Sequence, residues 1–159
     1  ITYGDWSSDV CSSDLVRGEI LRDEPMARHT SLKVGGPADF FVTPADPDDM
    51  RALLAILAET GTPWLAVGGG YNLLIRDGGF RGVVISSARM TSLERLEGNR
   101  AEVGAGVANG SLTACLRNEG LAGLEFRCGI PGTVGRSLIA SRFQNACCVA
   151  IPPDKNSAE

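Results

Sequence analysis

The 159-residue sequence has one histidine, no long apolar run and no excess of positive charge, and each shortage removes a class of function. Its formal net charge is −4. Sequence-independent binding to nucleic acid needs a basic face, so that partner is not expected. No apolar stretch is long enough to cross a bilayer, and no membrane partner is expected either. A positively charged start followed by an apolar core is also missing, so no signal peptide is expected. The five cysteines stand at positions 11, 115, 128, 147 and 148, an odd count with irregular spacing. With His29 as the sole imidazole, they fit neither a zinc site nor a disulfide framework, and no metal is expected. Cys115 reads as a small core residue on the apolar side of a helix. The compartment that suits such thiols is the reducing cytoplasm. Repeats of solenoid length are absent, and so is the G-x-G-x-x-G dinucleotide fingerprint.

What the chain does have is glycine, gathered at two turns. The first is Val67-Gly68-Gly69-Gly70-Tyr71-Asn72-Leu73-Leu74, which follows an apolar run at 64–67 that reads as a buried strand. Three successive glycines let the backbone adopt φ > 0 and approach a ligand closely. Several amides pointing one way make a cradle for a diphosphate. A plain turn between two strands fits the same residues. The second turn is Cys128-Gly129-Ile130-Pro131-Gly132-Thr133-Val134-Gly135, with a proline inside it. Two such turns in one small chain point to a shared ligand.

Between these turns the pattern predicts mixed α and β structure. Residues 16–26 alternate charged and aliphatic residues and are predicted to end an amino-terminal helix stopped by Pro25. A Gly35-Gly36-Pro37 turn precedes a strand at 39–43. Lys33, just before that turn, either faces a phosphate or is a solvated charge. Asp46, Pro47, Asp48 and Asp49 form a strong helix start, and Met50, Leu53, Leu54 and Leu57 follow on one face. Gly61 and Pro63 end that helix. With a strand at 82–85, residues 38–85 read as strand, helix, strand, loop, strand. The segment 100–107 reads as a strand interrupted by Gly104 and Gly106, implying close approach of another backbone or a flat ring. Ser111 is predicted to cap a helix with Leu112, Cys115 and Leu116 inward, closed by Gly120.

The domain plan that follows has a first α+β lobe at 16–88 and the start of a second at 89–135. The tail at 136–159 loses the glycine punctuation, and a shifted reading frame fits it. Residues 5–15, DWSSDVCSSDL, match the conceptual translation of a sequencing-adapter strand. Residues 1–15 are therefore set aside as an artefact and expected to be disordered.

Four blocks in order, TSLKVGGPADFFVTP, WLAVGGGYNLLIRDGGFRGVVI, AEVGAGV and GLEFRCGIPGTVG, resemble the flavin-binding part of the UDP-N-acetylenolpyruvoylglucosamine reductase family (UDP-N-acetylmuramate dehydrogenases, MurB). The resemblance runs from about Arg28 to Gly135. It implies an α+β fold of the vanillyl-alcohol-oxidase (PCMH) type, two small α+β lobes clasping FAD, here truncated. By resemblance, Gly68, Gly69, Gly70, Tyr71, Asn72 and Leu73 wrap the FAD diphosphate. Ala105 and Gly106 sit close to the flavin, and Gly129, Ile130, Pro131, Gly132, Thr133, Val134 and Gly135 line it. The family has serine where this chain has Tyr71, so a small hydroxyl contact is replaced by a bulky ring. Related oxidases tether FAD through a histidine in this loop. None is present here, so the flavin is expected to be non-covalent.

The resemblance also implies the reaction. NADPH is the hydride donor, and the UDP-sugar UDP-N-acetylglucosamine-enolpyruvate is the substrate reduced in peptidoglycan precursor synthesis. The family's catalytic arginine of a Tyr-Arg motif, glutamate and general-acid serine all lie beyond the point where this chain diverges. No catalytic residue is therefore assigned, and the chain by itself is expected to be inactive. Two alternatives remain open at this stage: another flavin oxidase of the same fold, and a non-catalytic nucleotide-binding module.

Overall fold

The computed structural model describes residues 16–140 and 148–150, so the adapter-like segment and most of the divergent tail lie outside the described residues. The chain divides into two units between Arg89 and Met90.

The first unit is built on a four-stranded sheet of β1 (Glu19–Pro25), β2 (Pro37–Thr43), β3 (Trp64–Val67) and β4 (Phe80–Ser86), in the order β1-β2-β4-β3. β1 runs antiparallel to β2, whereas β4 is parallel to both β2 and β3. Helix α1 (Pro47–Thr60) carries the chain from β2 to β3. It starts as its sequence demands: the Asp46 carboxylate accepts the Asp49 amide at 2.9 Å, and Pro47 needs no amide partner. It stops at Gly61, which adopts φ 65°. Leu53 and Leu57 of α1 are buried against Phe40, Val42, Val83 and Ile85 on one face of the sheet. Each such side chain contributes about 1.5–3 kcal/mol by leaving water. The other face buries Ala38, Phe41, Val67 and Val84 with Met26 and Ile75. Ala38 and Phe41 share that face, although three residues apart, because the β2–β4 register shifts between Ala38 and Phe40.

Two expectations are corrected here. Residues 19–25 form a strand and not the end of a helix: β2 supplies an antiparallel partner, and Asp23 stands at φ 51°, outside any helix. Pro25 is tolerated because it closes a strand at the sheet edge. The strand at 64–67 is not wholly buried either. β3 is the opposite edge, so Val67 faces the core while Trp64 is half exposed.

The cap of α1 also sets a pH response. The Asp49 amide, with Arg17 behind it, holds the Asp46 carboxyl below the usual carboxylate range. A folded value below the unfolded one stabilises the fold above about pH 4 and is lost as pH falls through the folded value. Asp46→Ala should therefore lower Tm at neutral pH, and its Tm curve should meet that of the parent chain in acid. Thermal unfolding followed from about pH 2 to 7 checks this; parallel curves would remove Asp46 as the source.

The second unit pairs β5 (Leu93–Leu96), β6 (Arg100–Val103) and β7 (Cys148–Ala150) as an antiparallel sheet. Helices α2 (Asn109–Asn118) and α3 (Val134–Ala140) accompany it, and Ala101, Val107, Leu112, Leu116 and Val134 form its core. Leu112 and Leu116 point inward as expected, with Cys115 half-buried. Ser111 does not cap α2. The helix begins two residues earlier, after Ala108, because the Asn109 amide is taken by the Gly132 carbonyl at 3.0 Å. β6 ends at Val103, and the amides of Gly104 and Gly106 bond to Ser92 and Met90 carbonyls at 2.7 and 2.8 Å. Of the two readings of that glycine pair, close approach of another backbone is the one seen.

Candidate functional site

Because β3 and β4 are neighbours and parallel, the chain between them cannot be a hairpin and must cross over. Residues 68–79 are that crossover, and the glycine run is its first part, leaving the carboxyl end of β3. In open sheets with parallel strands, ligands gather at such carboxyl ends.

A cavity of about 310 Å³ lies there, within the first unit. Gly68, Gly69 and Tyr71 of the glycine loop line it together with Arg28, His29 and Lys33 of segment 28–33. Phe41 and Val67 line it from the sheet. None of its lining residues is acidic, although the whole chain carries net charge −4.

The glycine loop is tied to segment 28–33 through its carbonyls. The Ser31 amide donates to the Gly70 carbonyl at 3.1 Å, and Ser31 Oγ donates to the Tyr71 carbonyl at 3.3 Å. Gly70 adopts φ 69°, and a Cβ built on it would lie 2.0 Å from the His29 carbonyl oxygen. By contrast, the amides of Gly68 to Asn72 donate to no protein acceptor among the described residues. Gly70 is buried against segment 28–33, Asn72 is exposed, and Leu73 packs toward the core. The six residues expected around a diphosphate are thus contiguous, but only three line the cavity. The Tyr71 ring folds against Gly69, so that a Cβ there would meet Cε2 at 2.6 Å.

Segment 28–33 was not legible as a site beyond Lys33. His29 stacks on Phe41 with ring centroids 3.9 Å apart, and its Nε2 bonds the buried Glu24 carboxylate at 3.0 Å. A carboxylate only accepts, so Nε2 carries the hydrogen. Arg28 approaches the same carboxylate at 3.5 Å.

In the second unit the expected residues also meet. The Gly135 amide bonds to the Ala105 carbonyl at 3.0 Å, and the Val134 amide to the Val107 carbonyl at 2.8 Å. This lays residues 132–135 alongside Ala105 and Gly106. Asn109, almost fully buried, holds the assembly: Nδ2 donates to the Ile130 carbonyl at 3.3 Å and to Ser137 Oγ at 2.9 Å. Arg127 donates to Asn109 Oδ1 at 3.3 Å. Thr133 Oγ1 and Arg127 Nε are buried polar atoms lacking a hydrogen-bond partner among the described residues. A larger cavity of about 610 Å³ follows α2, and Gly129 alone of the expected residues lines it. Glu125 at its edge accepts the Gly123 amide at both oxygens, which holds its carboxyl below the usual range.

What this arrangement offers is anion binding by bare backbone. Unpaired amides and an acid-free cavity suit the diphosphate of FAD, and the absence of histidine from the glycine loop suits a non-covalent cofactor. Among the described residues, no group of three metal-ligating side chains comes together. No helix there is long and apolar enough to cross a membrane.

The chain is 94% identical over 123 residues to the UDP-N-acetylenolpyruvoylglucosamine reductase of Geobacter sulfurreducens, covering 77% of this chain and 41% of that protein. It is 72% identical over the same length to the reductase of that name from Geobacter metallireducens. The chain thus spans about two-fifths of the length of these curated relatives. Among solved structures, the UDP-N-acetylenolpyruvylglucosamine reductase (MurB) of Thermus caldophilus matches with TM-score 0.55 and 32% identity, over 75% of this chain and 40% of that one. The 6-hydroxy-D-nicotine oxidase of Arthrobacter nicotinovorans matches with TM-score 0.53 and 20% identity, covering 73% and 26%, which is a likeness of fold alone. These findings bear out the resemblance to the reductase family and the α+β flavoprotein fold expected from the sequence. The FAD binding domain family matches residues 38–142, the greater part of the sequence, and the chain belongs to that family.

Proposed function

We propose that this chain seats FAD non-covalently and, in the intact protein, serves the NADPH-dependent reduction of UDP-N-acetylglucosamine-enolpyruvate to UDP-N-acetylmuramate. The observation that carries the reading is the run of amides from Gly68 to Asn72 without acceptors among the described residues, beside a cavity lined by no acid. Gly68, Gly69, Gly70, Tyr71, Asn72 and Leu73 hold the diphosphate. Ala105, Gly106 and residues 129–135 of the second unit line the flavin. Bound FAD supplies the hydride chemistry, while these residues orient it and stabilise its charge. The polarising arginine and glutamate and the proton-donating serine belong to other segments of the intact enzyme, so this chain alone turns nothing over. The reaction is placed in the cytoplasm.

Titrating FAD into ¹⁵N-labelled chain tests the site directly. The amides of Gly68 to Asn72 should shift, with weak affinity and no tight stoichiometric yellow complex. Tyr71→Ser, which frees the space above Gly69, should bind FAD about tenfold more tightly, equivalent to about 1.4 kcal/mol. Unmoved glycine-loop amides at saturating FAD would overturn the proposal.

A further inference from the structure

The cavity lining carries cationic side chains, Arg28 and Lys33, that none of the expected site residues accounts for. Arg28 and His29 both engage Glu24, so the Arg28 charge is partly answered by that buried carboxylate. Lys33 has no acidic partner among the described residues. It also stands at φ 57°, a left-handed conformation uncommon outside glycine. The turn that holds it there is specific: its amide bonds to the Thr30 carbonyl at 3.2 Å, and Thr30 Oγ1 donates to the Val34 carbonyl at 2.9 Å. Ser31, two residues earlier, fastens this turn to the Gly70 and Tyr71 carbonyls. A local strain kept by surrounding bonds, at a cavity lined by no acid, points to a ligand of opposite charge.

We propose that Lys33 is the side chain that pairs with the phosphates of the dinucleotide in this cavity, which it lines together with the glycine loop. This rests on the FAD reading above and adds a binding residue to it. The backbone donors then fix the position of the diphosphate, while the lysine supplies the unit positive charge the glycines lack. Lysine suits this task as a compact point charge on a flexible stem.

The test is the salt dependence of FAD binding by amide shifts, in the parent chain and in Lys33→Met, Lys33→Gly and Lys33→Arg. Glycine is favoured at this φ, so Lys33→Gly keeps the turn even if Lys33→Met disturbs it. At about 50 mM salt both uncharged variants should bind five- to tenfold more weakly, and at about 500 mM they should approach the parent, because screening removes the lost term. Lys33→Arg should stay within about twofold. If Lys33→Gly binds as the parent does at low salt, or is equally impaired at both salt levels, the lysine has no electrostatic role and the inference fails while the FAD site stands. If FAD leaves the parent's Gly68–Asn72 amides unmoved, both readings fall together.

Discussion

Gly70→Ala should be among the most destabilising substitutions available in this chain, by about 3–5 kcal/mol in chemical denaturation. Two independent effects combine. The residue stands at φ 69°, where any Cβ is strained, and the added methyl would lie 2.0 Å from the His29 carbonyl oxygen and 2.9 Å from its carbon. Neither neighbour can yield cheaply, since His29 is fixed by Phe41 and Glu24 and Ser31 holds the Gly70 carbonyl. Gly78→Ala is the control: it lies in the same crossover, and its Cβ would meet nothing within 4 Å. That change should be within about 1 kcal/mol of neutral, through the unfolded chain alone. Equal effects at the two positions would show that the clash, and the tie between the glycine loop and segment 28–33, are not what they are taken to be.

Asp49→Ala should cost a comparable amount, about 3–5 kcal/mol, for a different reason. The carboxylate is almost fully buried and accepts three backbone amides: Arg17 at 3.0 Å, Gly18 at 2.9 Å and Ala45 at 2.8 Å. Alanine would take from three part-buried donors their shared acceptor and unfasten the entry to β1 from the start of α1. Asp48 next door is exposed, and its only ion-pair partner among the described residues is Arg51 on the helix surface. Asp48→Ala should change stability by less than about 1 kcal/mol. Urea denaturation of the two variants separates the cases. A small loss for Asp49→Ala would mean that the three amides find other acceptors, and that this junction contributes little.

That contrast illustrates how far residue patterns reach. Asp48 and Asp49 look alike in sequence, both being acids in the first turn of a helix, and the helix start itself was plain from Asp46 and Pro47. Helical propensity and capping act over a few residues, so they survive translation from pattern to structure. The role of Asp49 depends on amides 31 and 32 positions away, and no local pattern records that. The misreading of residues 19–25 has the same origin. β1 exists because β2 supplies its hydrogen bonds, and a short charged segment has no periodic signal strong enough to announce a partner. Ser111 lost its capping role to a carbonyl at Gly132, again remote in sequence.

The candidate site divides along the same line. The glycine run at 68–70, the second turn at 129–135 and the lack of a tethering histidine were all visible as residue types, because glycine changes what the backbone can do wherever it stands. The pairing of Ala105 with Gly135, and the gathering of Arg28 and His29 with Lys33 at the cavity, were not. By itself the sequence determined the α+β character, the main helix and its caps and the flavin-binding family. Tertiary structure alone decided that 68–79 is a crossover between parallel strands and which residues line the cavity, none of them acidic. The physical reason is that propensity and φ preference belong to single residues, whereas a parallel pairing or a shared cavity belongs to segments that meet only after the chain has folded.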